Sequence, residues 1–161
     1  MRHAIYLHIV WTTLGRAPLI DHEREHLLRR YLRHIAREER AIILELGMVS
    51  THLHLLLRVH PACRISRLLQ RWKGGSAFLS KRDGVGNSAR PLRWAKGYSV
   101  TSVGPRALPA VLRYITDQPE RHPSDRITAP DVVTDPPRRL RGSCGFAAEA
   151  AARPRAVAEA T

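Results

Sequence analysis

The chain has almost no sulfur chemistry to offer. Its two cysteines, Cys63 and Cys144, stand alone in 161 residues, without Cys-x-x-Cys spacing. That excludes both a disulfide framework and a zinc–thiolate site. Phenylalanine is equally scarce, at two, with four tyrosines, and nothing resembles the aromatic segment on which RNA-binding sheets stack bases. No apolar run approaches the roughly 20 residues of a membrane span. The start, Met1-Arg2-His3-Ala4-Ile5-Tyr6, lacks the apolar stretch and small-residue cleavage site of a secretory signal. The expectation is a cytoplasmic protein with no membrane partner. Acid is also in short supply, with 14 Asp+Glu against 27 Lys+Arg.

Enough remains to build one domain, because 43% hydrophobic content can bury a core at this length. The net charge of +13 sits in the body: up to Arg121 there are 21 Lys+Arg against 9 Asp+Glu, and from His122 only 6 against 5. A basic body, rather than a basic tail, points to phosphate backbones as the partner. A bias toward arginine in the coding sequence would give the same composition without that meaning.

Residues 3–12 alternate, with Ile5, Leu7, Ile9 and Trp11 against Tyr6, His8 and Val10, and read as a central strand. Asp21 is placed to cap a helix over 22–39, whose buried stripe is Leu27, Leu28, Tyr31, Leu32 and Ile35. Residues 41–49 read as a second strand, turning through Gly47–Thr51 into a third over 52–59. Ile65, Leu68, Leu69, Trp72 and Phe78 mark a helix that Gly74-Gly75 could interrupt. After a loop over 83–91, residues 92–103 read as a fourth strand and 108–118 as a third helix. The order βαββαβ predicts an α+β, ferredoxin-like sandwich: a four-stranded antiparallel sheet with two helices on one face and an added C-terminal helix. One sheet face is then left for a ligand. The domain is expected over 1–121, followed by a Pro- and Ala-rich tail over 122–161 that is largely irregular, with a short helix near 146–152. No internal repeat is visible.

The chemistry concentrates in Thr51-His52-Leu53-His54-Leu55-Leu56-Leu57-Arg58-Val59. Side chains two apart on a strand share a face, so His52 and His54 point to one side and Leu53, Leu55, Leu57 and Val59 to the core. Two adjacent imidazoles on a rigid strand make a preformed pair of nitrogen ligands for a divalent cation; a satisfied structural pair would look the same. Most of the other histidines read as surface or structural groups, although His8 could line the same face. His22 and His26 have the i, i+4 spacing of helical metal ligands, but their segment reads as a solvated basic face. Tyr114 and Gln118 lie one helical turn apart, on a face away from Val111 and Ile115. A neutral amide oxygen can complete a two-histidine metal site without repelling phosphate. A phenol ionises near pH 10, so a nearby cation that stabilises charge on a phosphate would offset its weakness as a nucleophile. Arg58 shares the histidine face and could hold a phosphate.

These residues resemble the histidine-hydrophobe-histidine (HUH) single-tyrosine transposases, which mobilise small insertion sequences and include the REP-associated tyrosine transposases. The resemblance covers about residues 3–120. It rests on Leu7-His8-Ile9-Val10-Trp11-Thr12, on Thr51-His52-Leu53-His54-Leu55-Leu56, on residues 67–76 (RLLQRWKGGS), on 94–104 (WAKGYSVTSVG) and on Tyr114-Ile115-Thr116-Asp117-Gln118. It implies a metal-dependent endonuclease and strand transferase acting on single-stranded DNA. Tyr114 would be the nucleophile, leaving a 5′-phosphotyrosine and a free 3′-hydroxyl. His52, His54 and Gln118 would hold Mg2+ or Mn2+, with no nucleotide cofactor. DNA hairpins would be bound by shape and backbone, with Arg58, Arg71, Lys73 and Lys96 as candidate contacts. The resemblance also implies a homodimer working at the nucleoid, in which the tyrosine helix can complete the partner's site.

Two positions depart from the family pattern. Thr51 stands where relatives often carry Asp or Asn, and cannot itself supply a carboxylate. Pro119 biases Gln118 away from the helical region. The rival classes are a nicking enzyme retained to process chromosomal repeats and a nucleic-acid-binding module without chemistry.

Overall fold

The computed structural model describes residues 4–87 and 89–128. The short helix expected near 146–152 and most of the predicted tail therefore lie outside the described residues. Four strands, β1 (Ile5–Thr12), β2 (Ala41–Val49), β3 (His52–Val59) and β4 (Ser99–Ser102), form one sheet in the order β2-β3-β1-β4. Every neighbouring pair is antiparallel. Helices α1 (His22–Glu38) and α2 (Ile65–Arg82) separate the strands as the sequence predicts. The fold is the α+β ferredoxin-like sandwich.

Side-chain alternation sorts the sheet into two faces. Leu7, Ile9 and Trp11 pair with Leu57, Leu55 and Leu53, and these residues meet Leu28, Leu32, Ile35, Leu68 and Trp72 in the core. Trp11 stacks on Trp72 with ring centroids 5.8 Å apart, and Trp72 donates its indole N–H to the Leu32 carbonyl at 3.0 Å. Asp21 caps α1 by accepting from the Arg24 amide at 2.9 Å. Gly74-Gly75 does not break α2. Gly75 instead admits the Tyr31 ring, whose hydroxyl oxygen lies where a Cβ would be and donates to the Arg71 carbonyl at 2.9 Å.

Two elements differ from the sequence reading. The fourth strand is four residues long; residues 95–98 loop out, with Gly97 at φ 81°, and Trp94 bridges only to Thr13. Lys73 holds that loop, donating to the Ala95 and Gly97 carbonyls at 2.6 and 2.7 Å. The segment read as a solvated basic face contains a buried cation, because Arg24 is 2% exposed. Its guanidinium donates to the carbonyls of Leu19, Val85, Asn87 and Arg90 and to the Ser80 hydroxyl, tying α1 to the loop after α2. Isolated burial of that charge would be prohibitive; this set of acceptors replaces its hydration.

Strand β2 carries a bulge between Ile43 and Glu45. Before it, Ala41 and Ile43 face the core; after it, Leu46 and Met48 do. The extra residue shifts the pleat by one, which is what a bulge does. Gly47 thereby lands on the opposite face, directly across from His54.

Candidate functional site

The second sheet face collects Tyr6, His8 and Val10 from β1 and Leu56, His54 and His52 from β3, as their cross-strand pairing requires. It is not open. Two helices, α3 (Leu108–Thr116) and α4 (Gln118–Arg121), lie against it over β2 and β3. Gly47 is the reason they can come so close. A Cβ there would stand 2.3 Å from the Ile115 carbonyl oxygen and 3.1 Å from Gln118 Cγ, so only glycine permits the approach. His52 and His54, 4% and 6% exposed, are buried beneath this cover rather than among the core leucines.

The predicted single helix over 108–118 is broken at Asp117, whose ψ of 6° ends α3. Gln118 then opens α4 with Pro119 in the first turn, where a missing N–H costs nothing. Pro119 therefore does not turn the Gln118 side chain away. The side chain is fully buried, and its Nε2 donates to the Tyr114 carbonyl at 3.1 Å. Its Oε1 is buried without a hydrogen bond of proper geometry, although the amide lies close enough to His52 to favour that ring's charged form.

Tyr114 sits at the mouth of the site. Its ring centroid is 5.5 Å from that of His54 and 6.1 Å from that of His8, edge-on to both. The Arg121 guanidinium stands 5.0 Å over its other side. His8 joins the cluster directly, with Nε2 3.0 Å from His54 Nδ1. His122 packs edge-on against His52 at 4.9 Å. On the far side of His52, Nδ1 lies 2.9 Å from the Thr51 hydroxyl, which in turn donates to Asp125 Oδ2 at 2.9 Å.

The electrostatics favour the neutral form of His8, His52 and His54. Burial, then the neighbouring His52, His8 and His122 rings, push His54 down to about 3. Burial also lowers His8. His52 is lowered by burial first, then by His122 and Arg16, against the opposing pull of Gln118 and Asp125. A neutral imidazole has a lone pair to offer a cation.

One nitrogen of His52 is engaged by Thr51 and one of His54 by His8, and the Gln118 amide lies against His52. Gln118 Oε1 adds an unsatisfied buried oxygen beside them. Two imidazoles and a neutral oxygen form a mixed nitrogen and oxygen donor set that fits a divalent cation. No cage of three or more His, Cys, Asp or Glu occurs among the described residues, so the amide is needed to make a third protein ligand.

Of the sequence-predicted residues, the structure brings together His52, His54, Gln118 and Tyr114. Arg58 and Lys96 are exposed. Arg71 is held by Glu38 and by Glu39, at 2.8 Å from the latter, and Lys73 by the loop carbonyls. Sequence reasoning missed His122, Arg121 and Asp125, and left His8 as a possibility. Only His8 had a usable signal, the alternation of its strand. The pair His22 and His26 belongs to a segment, His22-Glu23-Arg24-Glu25-His26, that matches the His-Glu-x-x-His pattern of helical metal sites. Its Nε2 atoms lie 3.1 Å apart on the surface, while Glu23 is occupied by the Gly86 amide.

A ferredoxin-like sheet with an imidazole cluster facing a tyrosine helix defines an α+β domain with its candidate site on the second sheet face. Residues 1–118 match the family described as Transposase IS200 like, and the chain belongs to that family of DNA-processing enzymes. Among solved structures it is similar to a Deinococcus radiodurans R1 protein described as a candidate transposase, at 24% identity and TM-score 0.56, over 73% of this chain and 93% of that one. It is also similar to a REP-associated tyrosine transposase bound to a REP hairpin, at 13% identity and TM-score 0.59, over 76% and 72%. At these identities the two likenesses speak for the fold. No curated protein matches the chain.

Proposed function

We propose that the protein is a single-tyrosine transposase that nicks and rejoins single-stranded DNA bearing hairpins, working as a homodimer. The observation that carries this reading is the placement of Tyr114 beside His54, with the Gln118 amide against His52. The Tyr114 oxygen attacks a backbone phosphorus; the bond to the 3′ oxygen breaks, and the phenol proton leaves as that oxygen becomes a 3′-hydroxyl. The 5′ side stays on the protein as a phosphotyrosine, so a later attack by a 3′-hydroxyl rejoins the strand without a nucleotide cofactor. A Mg2+ or Mn2+ ion held by His52, His54 and Gln118 would supply Lewis-acid polarisation of the scissile phosphate. Arg121, stacked over the phenol, is placed to meet the phosphate that the phenol approaches. Arg58 and Lys96 offer exposed charge to the backbone of the hairpin. Each chain holds its own tyrosine beside its own histidines, so this arrangement supports cleavage in cis. Hairpin recognition also draws support from the DNA-bound state of the REP-associated neighbour.

The test is a Mn2+-dependent cleavage assay on hairpin-bearing single strands, read as a covalent protein–DNA band that survives denaturation. Tyr114→Phe should abolish the band while hairpin affinity stays within about twofold. A wild-type chain that binds the hairpin but never forms the adduct would be a binding module, and the enzymatic reading would fall.

A further inference from the structure

The carboxylate absent from position 51 is present in space, supplied from a turn 74 residues further along the chain. The Pro123–Asp125 turn lies beyond the family-matched residues 1–118. It is pinned by its own backbone, since the Ser50 amide donates to the Asp125 carbonyl at 2.7 Å. Its side chain accepts from Thr51 Oγ1, and Thr51 Oγ1 is 2.9 Å from His52 Nδ1. A threonine hydroxyl has one proton to give. Once Asp125 takes it, the same oxygen can only accept, so His52 must carry its proton on Nδ1. Its Nε2, on the remaining side of the ring, then carries the lone pair.

We infer that Thr51 and Asp125 are positioning residues that fix the tautomer and ring orientation of His52 as a metal ligand, so that the active site includes the turn after α4. Carboxylates that orient ligand histidines in this way tune metal sites, and their loss weakens metal binding about 10- to 100-fold. Here the carboxylate acts through an intervening hydroxyl. His122, the residue that caps this turn, packs edge-on against the His52 ring. Thr51, which departs from the family pattern, and Asp125 thus form one working unit. The inference rests on the proposed metal role of His52.

Nitrogen-15 NMR of the histidine rings in the full chain without metal reads the tautomer directly, and Mn2+ titration followed by electron paramagnetic resonance reads affinity. In the wild type, His52 should be the Nδ1–H tautomer. Thr51→Val and Asp125→Ala should each give a mixture of tautomers and weaken Mn2+ about tenfold or more. Thr51→Ser and Asp125→Asn, which keep the hydroxyl and the acceptor, should restore both readouts to within about twofold. An Nε2–H tautomer in the wild type, or a tautomer that ignores Thr51→Val in a chain whose thermal unfolding shows it folded, overturns the inference. A tautomer that follows the substitutions in a chain that never binds Mn2+ leaves the positioning chain standing and removes the metal role instead.

Discussion

His54 shows how much a single buried side chain can decide. Stripped of water and faced by His8, His52 and His122, its ring is neutral in the folded chain down to about pH 3. The unfolded chain protonates it near pH 6.5. Between those values the unfolded state binds more protons, so stability is fully present above about pH 6.5 and is lost as the pH falls. Thermal unfolding measured with a chelator should therefore show a Tm flat above pH 7 and declining toward pH 4. His54→Asn should reduce that slope, with His8 and His52 accounting for what remains. An unchanged slope would mean that the ring is not desolvated. Lysine and arginine positions carry a related lesson: Arg24, Arg71 and Lys73 look alike in sequence, yet each is committed to protein acceptors. Which basic side chains face solvent depends on where carbonyls and carboxylates end up.

At the scale of elements, the site depends on a bulge and a break. The bulge before Glu45 turns Gly47 toward His54; the break at Asp117 lets Gln118 start a new turn against His52. Gly47→Ala would drive a methyl group into the Ile115 carbonyl, a backbone atom that cannot swing aside. Overpacking of this kind costs about 1–3 kcal/mol. It should also lift α3 and α4 together, moving Tyr114 and Gln118 away from the histidines. Urea unfolding should show the lost stability, and the yield of covalent adduct should fall at least tenfold. A variant with full adduct yield would show that the helix approach is not what assembles the site. The helices, the β2–β3 hairpin and the pairing of His52 with His54 were legible, because local periodicity of 3.6 and 2 marks them. The length of β4 was not, since Gly97 and the Lys73 anchor shape residues 95–98 through contacts from α2.

The whole molecule is a basic body, and no helix among the described residues is long and apolar enough to cross a membrane. If the +13 charge serves DNA, affinity for a hairpin should fall steeply with salt, as counterion release requires. Arg58→Ala should lower the slope of log affinity against log salt by about 1. Arg71→Ala should leave the slope unchanged, because Glu38 and Glu39 already neutralise that guanidinium. Equal effects from both would show that exposure does not select the phosphate contacts.

By itself the sequence determined the order of elements, the core face of each strand and the side on which His52 and His54 emerge. Those are local properties, written in alternation and helical spacing. Only the tertiary structure decided that the histidine face is covered, that His8 and His122 join it and that Asp125 reaches Thr51. Those contacts cross 46 to 74 residues of chain, and no periodic pattern encodes a meeting between segments so far apart.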